Sequence, residues 1–155
     1  MTEREMRAAA RAELYAIRYT DAVINRLMDT VETLRHSLIY KGISYEGERV
    51  SGGNGVPDKN AETIAKIIDY EKEIEERIDQ LVDMKHRAFR RISALPELRE
   101  QNVLIARYIQ LKTWDAIIDE LEQAEKTVYE LHRKALQSYA TTNGLADAVK
   151  DSWMA

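Results

Sequence analysis

The sequence predicts an all-α protein: a long antiparallel helical hairpin, forming a coiled-coil arm, followed by a small helical head. Three observations predict it. The 155 residues hold only six glycines and two prolines. Five of those glycines (Gly42, Gly47, Gly52, Gly53 and Gly55) crowd into one stretch that Pro57 closes, which marks a loop. On either side lie residues 1–41 and 58–95, both free of Gly and Pro, in which apolar residues return at alternating steps of three and four. That is the 3.5-residue period of a coiled-coil seam.

Composition bounds the rest. A chain of this length fits one compact domain, or a small domain with an extended arm, and excludes a large multidomain enzyme. No cysteine is present, so disulfides, thiolate metal sites and a cysteine nucleophile are excluded. No apolar run approaches the roughly 18 residues of a membrane span. Met1 to Met6 carries acids where a secretory signal carries bases. A cytoplasmic protein without membrane contact is therefore expected. The net charge of −4 argues against coating of nucleic acid by bulk attraction, so any such contact must be local.

The arm is expected over residues 1–95, with its Gly-rich loop at 41–59. In the first helix Ile17, Thr20, Ile24, Leu27, Val31, Leu34 and Leu38 form the seam. In the second the seam is Ile64, Ile67, Glu71, Ile74, Ile78, Leu81, Lys85, Ala88 and Ile92. Asp58 and Asn60 are both suited to cap the second helix, predicted from Asn60 to Ser93, because a short side-chain oxygen can accept from the free backbone donors of the first turn. A helix that long cannot bury its seam alone. It pairs with the first helix across the loop or with another chain, and a homodimer through the arm is expected. The second helix ends in Lys85, Arg87, Arg90 and Arg91 with no acid among them. Two readings of this run are open: it offsets the negative C-terminal end of the helix dipole, or it contacts phosphate or an acidic partner.

Residues 96–140 read as a head of three shorter helical pieces. Leu98, Val103, Leu104, Ala106, Tyr108 and Ile109 suit a packed first helix, and Gln110-Leu111-Lys112 makes a turn. Thr113 is placed to cap a helix from Trp114 to Leu121, whose apolar stripe is Trp114, Ile117, Ile118 and Leu121. After Glu122-Gln123-Ala124-Glu125 comes a last helix from Lys126 to Leu136, with Val128, Leu131, Ala135 and Leu136 turned inward. Two short helices joined by a tight turn, the second carrying polar and basic residues outward, make a helix-turn-helix pattern. Residues 141–155 form a tail or a short docking helix, with Asn143-Gly144 as a stop signal.

At these residues a resemblance enters. The run Arg107-Tyr108-Ile109, Thr113-Trp114-Asp115-Ala116-Ile117, Leu121, Thr127-Val128-Tyr129 and His132-Arg133-Lys134-Ala135-Leu136 resembles the fourth region of bacterial sigma factors. The helical arm, the loop Ser51-Gly52-Gly53-Asn54-Gly55-Val56-Pro57-Asp58-Lys59 and the sequence Ala65-Lys66-Ile67-Ile68-Asp69 resemble a narrower group. These are small sigma-factor-like regulators encoded in prophages of Gram-positive bacteria, similar to late-transcription activators of the ArpU and RinA type. The resemblance implies that the last helix enters the major groove of double-stranded DNA while the preceding one crosses the backbone. On that mapping Lys126, Arg133 and Lys134 contact phosphates, Tyr129 or Arg133 reaches a base edge, Glu130 lies on the same outward face, and Gln123 and Thr127 meet backbone oxygens at the helix start.

Two positions depart from the pattern. Glu122 stands where relatives commonly carry Gly, and is expected to force a different turn because Glu enters left-handed backbone angles less readily. Ala124 replaces the usual Ser or Thr cap, removing about 1 kcal/mol. Between Glu97 and Ala140 the acids Glu97, Glu100, Asp115, Asp119, Glu120, Glu122, Glu125 and Glu130 outnumber the bases Arg99, Arg107, Lys112, Lys126, Arg133 and Lys134. A head with that balance binds DNA weakly by itself, so host RNA polymerase or self-association is expected to assist it.

No catalytic residue, metal or cofactor is expected. His36, His86 and His132 lie far apart and read as surface or cap residues, without a His-Glu-x-x-His pattern. No Gly-Lys-Ser/Thr follows the glycines to make a phosphate loop. Glu71, Glu73, Glu75 and Glu76 ring a helix instead of converging, and Tyr108 and Trp114 read as core. The chain is thus expected to be a phage or prophage transcriptional regulator and not an enzyme. A DNA-packaging factor resembling a small terminase subunit and a protein-interaction module are the alternatives.

Overall fold

The computed structural model describes residues 1–45 and 59–147, and among these every regular element is a helix. Helix α1 spans Glu3–Tyr45, α2 Lys59–Ser93 and α3 Leu98–Leu104. A π-helical segment at Ile105–Ile109 follows, then α4 at Trp114–Leu121 and α5 at Glu125–Thr142. The all-α expectation is met, and α2 and α4 begin and end within a residue of their predicted limits. The Gly-rich loop expected at 41–59 is shorter, because α1 continues through Gly42 to Tyr45 and α2 begins at Lys59; residues 46–58, with Asp58 as a cap, lie outside the described residues, as do residues 148–155 of the tail.

Helix α1 opens on a reciprocal cap. The Glu5 N–H donates to Thr2 Oγ1 at 3.2 Å and the Thr2 N–H donates to Glu5 Oε2 at 2.8 Å, satisfying two backbone donors at once. Helix α5 runs past its expected end at Leu136 to Thr142, where the Asn143-Gly144 stop signal closes it. Asn143 Nδ2 donates to the Tyr139 carbonyl at 2.9 Å, and Gly144 takes a left-handed φ of 63°, which a residue without Cβ adopts freely.

The chain forms two compact units, Met1–Tyr19 with Leu81–Ala155, and Thr20–Gln80.

In the first unit Ala10, Leu14 and Ile17 of α1 are buried, as are Leu81, Ala88 and Ile92 of α2. The same holds for Val103, Leu104, Ile117, Val128, Leu136 and Tyr139 of the shorter helices, among which α3 packs on α5. Polar links join the same elements. Arg91 of α2 pairs with Glu13 of α1, and Arg7 Nη1 of α1 donates to Gln137 Oε1 of α5 at 3.4 Å. The buried Tyr139 hydroxyl lies against the Arg91–Glu13 pair; burial first, then Glu13, pushes its pKa up to about 12.

In the second unit Ile24, Val31 and Ile67 are buried, Leu27, Leu34, Leu38 and Ile74 are half-buried, and Arg35 pairs with Glu71. Ile64 and Ile78, expected in the seam, are instead 48% and 41% exposed. Along α2 the set spaced by seven, Ile67, Ile74, Leu81 and Ala88, turns inward. The alternating set Ile64, Glu71, Ile78 and Lys85 stays more exposed. A helix with one neighbour covers only a narrow strip, and the charged members Glu71 and Lys85 make the second set the costlier one to bury.

Leu14 is fully buried although it lies more than eighty positions before α3. Leu14→Ala is expected to lower the unfolding free energy by about 3 kcal/mol, the cost of lost transfer energy plus a cavity. Urea unfolding checks it; an unchanged midpoint would mean that the start of α1 is not part of this core.

Candidate nucleic-acid interface

Helices α4 and α5 are joined by residues 122–124, and local chemistry fixes both ends of the turn. Thr113 caps α4 as expected, its Oγ1 accepting from the Ala116 N–H at 3.2 Å. Glu122 closes α4 with φ 51° and ψ 36°. Glu122 therefore enters the left-handed conformation that Gly adopts more readily. The roughly 1–2 kcal/mol cost for an L residue is offset by the packing of the two helices it joins. Ala124 begins α5 with no side-chain cap, as its sequence implies.

What holds α4 in place lies upstream. The π-helical segment bonds Gln110 N–H to Ile105 O at 2.8 Å and Lys112 N–H to Ala106 O at 2.9 Å, and Leu111 takes φ 57°. This wider pattern bypasses the Arg107 carbonyl. Arg18 of α1 supplies the missing donor: its Nη1 reaches Arg107 O at 2.9 Å and Lys112 O at 3.4 Å. Arg107 bends back, donating to Lys112 O at 3.1 Å, with its guanidinium 4.5 Å from the Trp114 ring centroid. A cation over an indole face contributes about 0.5–2 kcal/mol, more when desolvated as here. Lys112 Nζ closes the turn on Glu120 at 2.6 Å.

Behind these groups lies a buried polar couple. Tyr108 and His132 are 2% and 6% exposed, and the Tyr108 hydroxyl and His132 Nε2 are 2.8 Å apart. Trp114 meets the imidazole edge-on at 4.7 Å between centroids and Tyr129 at 5.1 Å. Burial first, then Arg11 and Arg107, push the His132 pKa down to about 4. The imidazole is therefore neutral at physiological pH. The expectation of a surface or cap histidine is corrected here: position 132 lies between the inward residues Val128 and Leu136, and Tyr108 satisfies its nitrogen. Tyr108 is core as expected, and Trp114 is half-buried.

The residues singled out on α5 are exposed. Lys126, Tyr129, Glu130 and Arg133, with Glu125, line an open trough of about 520 Å³ on its outer face. Gln123, Thr127, Glu130 and Lys134 line an adjoining groove of about 290 Å³ with Arg99 and Asn102 of α3, over Leu121 and Leu131. Inward, Val128, Ala135 and Leu136 are buried and Leu131 is half-buried, which matches the predicted stripe. Of the basic run on α2, Arg91 is committed to Glu13, whereas Lys85, Arg87 and Arg90 make no ion pair among the described residues. Sequence reasoning passed over Arg18, Arg99 and Asn102. Only for Arg99 was a signal present, a base in a head that has few.

Among the described residues no group of three or more His, Asp or Glu side chains can hold a metal ion, and no helix is long and apolar enough to cross a membrane.

Two outcomes are expected. The unfolded chain takes up a proton at His132 as pH falls through 6.5, while the folded chain does so only near 4. Stability is therefore lost between those values, by up to about 3 kcal/mol. Unfolding curves across that range should show a smaller loss in His132→Gln; equal slopes would place the imidazole in water. Separately, Ala124→Ser should raise stability by about 1 kcal/mol by capping α5, read as a higher thermal midpoint.

Comparison with known proteins places the chain. The model of the family described as Protein of unknown function (DUF1492) matches residues 42–140, and the chain belongs to that family. Neither the curated proteins nor the solved structures contain a match.

Proposed function

We propose that this DUF1492 chain is a phage or prophage transcriptional regulator. On this reading it binds double-stranded DNA through α4 and α5, used as a helix-turn-helix like that of sigma region four. It has no catalytic activity and takes no cofactor; it acts in the cytoplasm with host RNA polymerase or as an oligomer.

The observation that carries the reading is how basic side chains divide within the first unit. Arg18, Arg91, Arg107 and Lys112 are spent on internal carbonyls and carboxylates. Lys126, Arg133 and Lys134, all on α5, have no internal partner among the described residues and stand exposed. Three free cations on α5, beside the likewise unpaired Lys85, Arg87 and Arg90 of α2 and Arg99 of α3, suit positioning on phosphates with a few side chains left for base edges.

The acid excess of the head sets the strength. With about three phosphate contacts, binding is weak and falls by nearly three log units per log unit of salt. Self-association compensates. In the second unit Met28 and Ile39 of α1 and Ile64, Ile68 and Ile78 of α2 are between 41% and 62% exposed. Exposed apolar side chains of this kind suit a partner helix. The Arg35–Glu71 pair fits an antiparallel hairpin as the dimerising arm.

Gel-shift titration against the phage's own regulatory DNA, with and without polymerase, is the test. Binding at low salt that Arg133→Ala weakens is expected; no binding under either condition overturns the reading. In light scattering a dimer that Ile68→Lys converts to monomer is expected. A closed ring of many subunits would point to DNA packaging instead.

A further inference from the structure

The groove between α3 and α5 combines an apolar floor with a polar rim. Its floor is apolar, Leu121 and Leu131, and its rim carries Arg99, Asn102, Gln123, Thr127, Glu130 and Lys134. None of those six polar side chains makes a hydrogen bond or ion pair among the described residues. By contrast Gln101 Nε2, next along α3, donates to Leu95 O at 2.6 Å, and Lys112 is held by Glu120. Six unused groups around one depression of about 290 Å³ are the pattern of a small polar ligand site.

We propose that this groove binds a phosphate group, with Arg99 and Lys134 carrying the charge and Asn102, Gln123 and Thr127 donating hydrogen bonds. The guanidinium fork of Arg99 can engage two phosphate oxygens at once, while Lys134 acts as a point charge. Two cations against the one acid, Glu130, leave the rim positive although the head as a whole is acidic. Glu130 opposes an anion and so sets the affinity low, as reversible binding requires. A phosphodiester of the DNA backbone is the source that accords with the proposed function, on which this assignment partly rests. A free phosphate compound has the same chemistry.

Backbone-amide NMR of the full chain distinguishes them, with a short DNA duplex as one probe and inorganic pyrophosphate as the other. Expected with the duplex are shifts around Arg99, Gln123 and Lys134, and a salt slope that Arg99→Ala and Lys134→Ala each reduce by about 1. Glu130→Gln should strengthen binding severalfold, an effect that a purely structural role would not give. These three side chains are exposed and unpaired, so unchanged melting curves will show that the variants fold. Duplex binding that is indifferent to Arg99→Ala and Lys134→Ala overturns the groove but leaves the DNA reading intact. Groove shifts with pyrophosphate and no duplex binding at low salt support the groove and overturn the DNA reading. No shift with either probe overturns the groove.

Discussion

The Arg107 carbonyl, in the middle of the π-helical segment, is passed over by the backbone donors of Gln110 and Lys112, and the answer to it organises the head. A carbonyl left unpaired in a packed interior costs about 1–3 kcal/mol. The donor comes from Arg18, far back on α1, so the turn that aims α4 is secured by the opposite end of the chain. Burial of Leu14 and Ile17 holds Arg18 at that height. Arg107 is thereby free to lie over Trp114, and Trp114 packs against His132 and Tyr129 on α5. One hydrogen bond thus begins a line of contacts ending on the exposed face of α5.

Strain sits at the two ends of α4. Leu111 and Glu122 both hold positive φ, a conformation that costs an L residue about 1–2 kcal/mol. Such positions persist where the surroundings over-determine them. Around Leu111 that means Arg18, Arg107 and the Lys112–Glu120 pair; around Glu122 it means burial of Ile117 and Val128 on either side. Rigidity at a turn matters for recognition, since a helix that reads a groove must be held at a fixed angle.

Net charge describes the first unit poorly, because it counts cations that face inward alongside those that face out. Arg18, Arg91 and Arg107 satisfy internal oxygens and contribute little field at the surface. What remains outside is sparse on α5, close-set at the α3–α5 groove and repeated at Lys85, Arg87 and Arg90 on α2. This distribution is compatible with a weak anion-binding surface inside an acidic protein.

Most of the helices were legible in the sequence. Lys59–Ser93, Trp114–Leu121 and the Thr113 cap follow from apolar period and local hydrogen bonding, which act over a few residues and are written in them. The inward stripe Val128, Ala135 and Leu136 was legible for the same reason. Which of two equivalent stripes on α2 turns inward was not, because Ile64 and Ile78 are as apolar as Ile67 and Leu81 and only a neighbouring helix distinguishes them. His132 reads as polar until Tyr108, on another helix, supplies its partner. Arg18 reads as one more surface base until it is seen on the Arg107 carbonyl. Tertiary structure alone decided these, since each depends on a contact between residues separated by many turns of chain, and the energy of such a contact has no signature in the local sequence.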